Sequence, residues 1–314
     1  MKILIVSSYL SGYIDYLVTA LRDQDHKVMV IYFNRGVLKF EYKNFWHHGV
    51  SFVKKAWGGN AKFDFRHKAI KKEVGHSVYD QIIMLHPQYL DHKTHIFLKD
   101  KCTTYKTFLF DSLAKMPRQM KVLHHFDKIF SYEPSDCKLH GFEFLTNYIP
   151  RVSTTQVMVE PKAFNISALD NRLTILQKIG EELKKHNFPF EFIVFDKKMR
   201  NNLDFKIFNQ ITKRIDFEVV KKKIENSTVL IDIQRDMQEG LSFRVFEALG
   251  FGKKLITNNL AIKDYDFYDP QTILVIDHNN VHIPKNWLNA PLKSISPEKF
   301  KKYTLKEWIN QLLA

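Results

Sequence analysis

What is scarce in this 314-residue chain narrows its class before any motif is read. It has only two cysteines, Cys102 and Cys137, too few for a disulfide framework and not at a metal-ligand spacing. Both read as incidental thiols of a reducing cytoplasm. No uncharged apolar run reaches the ~18 residues that a membrane-spanning helix needs. The opening MKILIVSSYL is apolar only briefly, and polar residues follow it with no small-residue cleavage site. A buried first strand is expected there. Internal repeats and low-complexity tracts are absent. Acidic residues are outnumbered, 34 against 48 Lys and Arg, which leaves a net charge of +14. The lysines are scattered, as at Lys54-Lys55, Lys184-Lys185 and Lys221 to Lys223, and no basic recognition helix gathers them. That argues against nucleic acid as a partner. Solvated helix faces account for most of the charge, while a phosphate-bearing substrate or an anionic membrane surface suits the rest.

What is present describes a globular protein. The chain is 45% hydrophobic and 26% charged, and its length suits two domains of ~150 residues each. Lys2 to Ser7 is a short β-branched apolar run, Tyr13 to Asp23 has apolar residues at helical spacing, and Lys27 to Phe33 is apolar again. That is one βαβ unit, which implies a parallel sheet. The stretch from Asn34 to about Glu73, with His47-His48 and Trp57, is less regular. Further strands are expected at Tyr79–His86, Lys106–Phe110 and Lys128–Tyr132, with a helix near Pro117–His125 and a short apolar piece at Phe142–Leu145. Pro150 marks a boundary. Beyond it the pattern predicts a strand at Thr155–Val159, a helix over Ala168–Lys185 and a strand at Phe190–Phe195. Gly180 inside that helix costs about 1 kcal/mol against alanine. A helix at Phe217–Glu225, a strand at Thr228–Ile233, a helix over Leu241–Phe251 and strands at Lys254–Thr257 and Ile273–Ile276 follow. The tail from Ser296 to Leu313 is helical. The fold class is therefore α/β, with domains at residues 1–150 and 151–295 and a terminal helix at 296–314.

The densest chemistry lies at Gln238-Glu239-Gly240-Leu241-Ser242, a loop between a buried strand and a helix. A glycine near a helix start lets a ligand approach the backbone. The free N–H groups and positive dipole end of that helix attract anions. Ser242 reads as a phosphate donor or an ordinary helix-start hydrogen-bonder. Arg244 reads as a phosphate ligand or as half of an ion pair across the helix. Glu239 and Glu247 stand eight residues apart, placed to reach different hydroxyls of one ligand, because carboxylates accept from paired sugar hydroxyls. An exposed helix glutamate is the plainer reading of Glu247. Asp111 and His86 each follow an expected strand, where open parallel sheets bind ligands, and Asp111 equally reads as a helix cap. The His124-His125 pair reads as surface or packing. No His/Asp/Glu cluster shows metal spacing in the sequence.

The stretch Glu239–Thr257, EGLSFRVFEALGFGKKLIT, resembles the retaining GT-B glycosyltransferases, whose hallmark is Glu-x7-Glu followed by Ala-Leu-x-x-Gly. The stretch Phe108–Leu145, which begins FLFDSLAKMPRQMKVLHHFDKIFSY, is similar to the acceptor domain of CgeB-like proteins of bacterial polysaccharide and lipopolysaccharide synthesis. The resemblance implies two Rossmann-like domains facing across a cleft, with the terminal helix packing back on the first. It implies transfer of a hexose-type sugar, with retention and without a metal or other cofactor, from a UDP- or GDP-sugar to a glycan or lipid-linked glycan hydroxyl. Glu247 would bind the ribose, Glu239 would face the sugar, and the Gly240, Leu241 and Ser242 amides would hold the diphosphate. Arg244 would assist departure of the nucleoside diphosphate. Lys162 and Arg172 are the candidates for the basic pair that binds phosphates early in the second domain. Only Gly12 stands where such enzymes carry a glycine-rich first loop. Two alternatives remain: an inverting enzyme with Asp111 or His86 as base, or a non-catalytic nucleotide-sugar-binding subunit. An anionic acceptor at the inner membrane face would suit the charge, which places the chain in the cytoplasm or peripherally on that face.

Overall fold

The computed structural model describes residues 1–9, 12–41, 60–152, 159–199, 204 and 206–314. His47-His48, Trp57 and nearly all of the strand expected at Thr155–Val159 lie outside the described residues. The chain divides into two compact units, Met1–Leu145 and Thr146–Ala314.

The first unit opens with β1 (Lys2–Ser7), α1 (Tyr13–Arg22) and β2 (Lys27–Tyr32). After Lys2, every residue of β1 is buried, as expected of an inner strand in a sheet covered on both faces. α1 turns Ile14, Leu17, Val18 and Leu21 onto the sheet. Then come α2 (Ala61–Val74), β3 (Tyr79–Leu85), α3 (His92–Lys99), β4 (Cys102–Leu109), β5 (Lys128–Ser131), α4 (Pro134–His140) and β6 (Glu143–Phe144). The helix expected near Pro117 is two 3₁₀ turns, Pro117–Lys121 and Leu123–His125. Val122 between them, at φ −124° and ψ −4°, lies off the helical backbone region. All pairings are parallel, in the order β2-β1-β3-β4-β5-β6.

The second unit contains β7 (Ala163–Ala168), α5 (Leu173–Lys185), β8 (Phe190–Phe195), β9 (Phe208–Ile211), α6 (Phe217–Glu225) and β10 (Val229–Asp232). It continues with α7 (Phe243–Gly250), β11 (Lys254–Thr257), β12 (Ile273–Val275) and α8 (Lys285–Asn289). Its order, β12-β11-β10-β7-β8-β9, is again all parallel. Ala168 ends β7, although the sequence pattern placed it at a helix start. Asn165 and Ser167 interrupt the apolar run there, and β9 was not visible in the pattern at all. Gly180 allows α5 to lie close to the sheet, since a Cβ there would fall 2.8 Å from Ile207 Cγ2 and 3.4 Å from Phe192 Cε2. The helical tail is broken into α9 (Pro297–Lys302) and α10 (Leu305–Leu313). Thr304 caps α10 by accepting the Glu307 N–H. α10 packs on Thr146–Ile149: Trp308 Nε1 donates to Thr146 O at 2.8 Å, and Ile149 N donates to Tyr303 O at 2.8 Å.

Candidate functional site

In the second sheet, β7, β8 and β9 step one way from the centre while β10, β11 and β12 step the other way. Such a reversal leaves a crevice at the carboxyl ends of the two central strands, where open α/β sheets take their ligands. Here those strands are β7 and β10. β10 ends on Asp232, and the chain then runs through Glu239 and Gly240 to Ser242, the cap of α7. Ser242 Oγ accepts the Arg244 N–H at 3.1 Å and donates to Asp232 Oδ1 at 2.7 Å. One hydroxyl thus ties the strand end to the helix start.

The loop between them is held from three sides. Asn258 Oδ1 accepts the Gln234 N–H at 2.8 Å, Asn259 Nδ2 donates to Glu239 O at 2.9 Å, and Asn147 Nδ2 donates to Leu241 O at 2.8 Å. Gly240 and Leu241 are buried within that clamp, and the Glu239 side chain is exposed. The first turn of α7 therefore meets the crevice with a fixed backbone. Fixed amides at a helix start are a ready anion site.

Burial raises the Asp232 carboxyl above its ordinary range, against the opposing pull of Ser242, Arg244, Arg172 and Arg235. Three guanidiniums thus act electrostatically on one buried acid. Arg172 follows β7; its side chain is bidentate on Asp170, at 2.8 and 2.7 Å, and donates to Ile233 O at 3.4 Å. Arg244 forms the ion pair across the helix, 2.8 Å from Glu247. Glu247 is only 2% exposed, which removes its reading as a surface glutamate.

Of the residues singled out in the sequence, Arg172, Glu239, Gly240, Leu241, Ser242, Arg244 and Glu247 come together at this end of the sheet. Lys162 does not. It immediately precedes β7 at the amino end, where its Nζ pairs with Glu191 at 2.7 Å. Asp232, Arg235, Asn147, Asn258 and Asn259 were missed. An acid closing the apolar run VLID, and a pair of asparagines closing KLIT, were the available signals.

The first sheet has its own reversal between β1 and β3. His86 follows β3 with a left-handed backbone, φ 65°, and its Nδ1 lies 3.0 Å from the hydroxyl of Ser8, which follows β1. Phe110 stacks on the ring at 5.5 Å. Burial pushes the imidazole down to about 4, although the Asp111 charge pulls the other way. At neutral pH His86 is therefore uncharged. Asp111 is 2.7 Å from Lys115 Nζ. His86 and Asp111 thus share one end of the first sheet. Elsewhere in this unit, His92, His124 and His125 converge, with ligand atoms within 4.8 Å of one another, a grouping that the sequence spacing did not reveal.

No protein-family model matches the sequence, and no curated protein does. Solved structures match along the whole chain. The lipopolysaccharide outer core galactosyltransferase WaaB, in its apo form, is 12% identical with a TM-score of 0.59, covering 100% of this chain and 99% of its own. The α,α-trehalose-phosphate synthase (UDP-forming) from Burkholderia xenovorans, in complex with glucose-6-phosphate, is 11% identical with a TM-score of 0.58, over 100% and 99%. The UDP-GlcNAc 2-epimerase from Neisseria meningitidis, bound to UDP-GlcNAc, is 9% identical with a TM-score of 0.54, over 100% and 98%. At such identities the likeness is one of fold. With an all-parallel six-stranded Rossmann-like sheet in each unit, this chain has the GT-B fold of glycosyltransferases.

Proposed function

We propose that the chain is a glycosyltransferase that moves a sugar from a UDP- or GDP-sugar to a hydroxyl of a bacterial surface glycan, with retention at the anomeric carbon. The observation that carries this reading is the pair of buried acids around the start of α7. Asp232 is fixed to the cap residue Ser242, and Glu247 lies one turn inside the helix. Glu247 would accept the ribose hydroxyls, and Glu239 would face the transferred sugar. The Gly240–Ser242 amides would hold the diphosphate, with Arg244 and Arg172 balancing the charge that develops as it leaves. Preorganised donors of this kind act on a leaving diphosphate as Mg²⁺ does in other enzymes. A nucleotide-sugar donor is further supported by the UDP-GlcNAc bound to the Neisseria epimerase. Among the described residues no helix is long and apolar enough to cross a membrane. An anionic, lipid-linked acceptor at the inner membrane face suits the +14 charge.

The His86–Ser8 contact favours a second reading, inversion with His86 as base. A neutral imidazole accepts a proton, but one whose pKa lies near 4 is a weak base at pH 7.

A thermal-shift series with UDP, GDP, CMP, dTDP and their sugar conjugates tests the donor site, repeated on Glu247→Ala and Arg172→Ala. A nucleotide at about 100 times its Kd stabilises the native state by ~2.7 kcal/mol. The shift should appear with UDP or GDP and shrink in both variants. A well-folded protein indifferent to every nucleotide would remove the basis of the proposal. Product analysis then separates reaction classes. Nucleotide release that requires an acceptor supports transfer, and an isomerised nucleotide-sugar without acceptor points to epimerase chemistry. The anomeric configuration of the product decides between retention and inversion.

A further inference from the structure

Three histidines of the first unit have no role in the proposed reaction, yet they are arranged around one point. His92 is the first residue of α3, while His124 and His125 close the second 3₁₀ turn before β5. The His92 Nδ1 to His125 Nε2 distance is 3.0 Å, and one ligand atom from each of His92, His124 and His125 lies within 4.8 Å of the others. The His92 ring stacks on His124 at 5.4 Å between centroids, and His124 lies against His125 at 4.1 Å. We propose that His92, His124 and His125 bind one divalent transition-metal ion of the kind that takes imidazole ligands, with Zn²⁺ as its representative.

The geometry needs little change to do this. Zn–N bonds are about 2.0–2.1 Å, so two imidazole nitrogens on a tetrahedral ion stand about 3.4 Å apart. The 3.0 Å contact has to open by only a few tenths of an ångström, while exposed His124 draws in. Three imidazoles leave a fourth position for water, as in open zinc sites. Imidazole-only sets suit Zn²⁺, Ni²⁺ and Cu²⁺ rather than Mg²⁺ or Ca²⁺.

The neighbours hold the ligands ready. His95 lies parallel to His125, rings 5.4 Å apart and 12° from coplanar. It is not itself a ligand, because both its nitrogens are engaged, Nδ1 with Tyr105 Oη at 2.8 Å and Nε2 with Pro87 O at 3.1 Å. Lys99 donates to His125 O at 3.1 Å and to Asp127 at 2.7 Å, and the carboxylate offsets its charge. A shared proton between His92 and His125 would explain their contact alone, but it gives His124 no part.

The test uses the full chain without a histidine tag, stripped of metal with EDTA, and titrated with Zn²⁺ by calorimetry and melting. One Zn²⁺ per chain and a raised Tm are expected. The double variant His92→Ala/His124→Ala, both exposed in the native protein, should keep the metal-free Tm and lose both effects. Co²⁺ in the native chain should give the visible absorption of a tetrahedral site, absent from the variant. A native chain that takes up no Zn²⁺, or a double variant that binds it as tightly, would overturn the proposal.

Discussion

Replacing Gly250 with alanine sets two effects of known size against each other. Gly250 is the last residue of α7, and by propensity alone alanine would stabilise a helix there by about 1 kcal/mol. The structure opposes this. A Cβ at position 250 would sit 2.1 Å from Arg151 O and 2.6 Å from Ile149 Cγ2. Ordinary contact begins near 3.4 Å, so the 149–151 backbone would have to retreat by more than an ångström. It has little room to do so. Ile149 N is bonded to Tyr303 O, Trp308 Nε1 to Thr146 O and Asn147 Nδ2 to Leu241 O. Tyr148 is fully buried, 5.1 Å from Phe243 and 4.8 Å from Trp308 between ring centroids. Overpacking against unyielding neighbours costs about 1–3 kcal/mol and sometimes more. With backbone on one side, the upper end applies and outweighs the helix gain. A net loss of ~2 kcal/mol corresponds to a Tm about 4–8 °C lower for a unit of this size. Differential scanning fluorimetry of Gly250→Ala beside Gly180→Ala measures it. At Gly180 the close atoms belong to the side chains of Ile207 and Phe192 and not to backbone, and the nearest is 2.8 Å away, so that variant should lose less than Gly250→Ala. An equal or higher Tm for Gly250→Ala would refute the reasoning.

Three further substitutions probe the same unit. Lys254 is 4% exposed and its Nζ donates to the carbonyls of Trp287, Leu288 and Ala290, tying β11 to the end of α8. Lys254→Met leaves those carbonyls without that donor and should cost about 1–3 kcal/mol, read as a lower urea midpoint; an unchanged midpoint would mean water replaces the ammonium freely. Asp232 is an acid whose folded pKa is raised by burial, so it destabilises the fold as pH climbs from its unfolded value through its folded one. Asp232→Asn should therefore gain stability relative to the native chain as pH rises above the ordinary carboxylate range, and a difference that stays flat with pH would contradict the burial argument. Ser242→Ala removes the α7 cap and should lower stability by about 1–2 kcal/mol while weakening nucleotide binding; a loss of stability with binding intact would make Ser242 a cap and nothing more.

Much of the fold was legible because parallel sheets bury their strands on both faces. The apolar runs at Lys2–Ser7, Tyr79–Leu85 and Phe190–Phe195 stand out against polar connections, and each is a strand. That the sheets are parallel followed from the alternation of strands and helices, while the strand order came only with the structure. The strand β7 escaped because its buried Asn165 reads as a loop residue. Only the structure shows that its Nδ2 donates across the sheet to Ile231 O at 2.9 Å. Polar residues that bond between strands break the pattern by which strands are recognised.

The same limit separates what was visible of the site from what was not. Glu239, Gly240, Ser242, Arg244 and Glu247 fall within one loop and helix, so local spacing carried them. The residues that fix that loop come from elsewhere: Asn147 lies 94 positions before Leu241, and Asn259 lies 20 beyond Glu239. A side chain that clamps a distant backbone leaves no periodic trace, because its partner is a carbonyl and every residue has one. The trio of His92, His124 and His125 escaped for a related reason, since His92 opens α3 while His124 and His125 lie in a 3₁₀ turn some thirty residues on. Sequence therefore reveals the groups that would touch a ligand when one loop carries them. The groups that hold that loop still become visible only once the sheets have set the strand ends side by side.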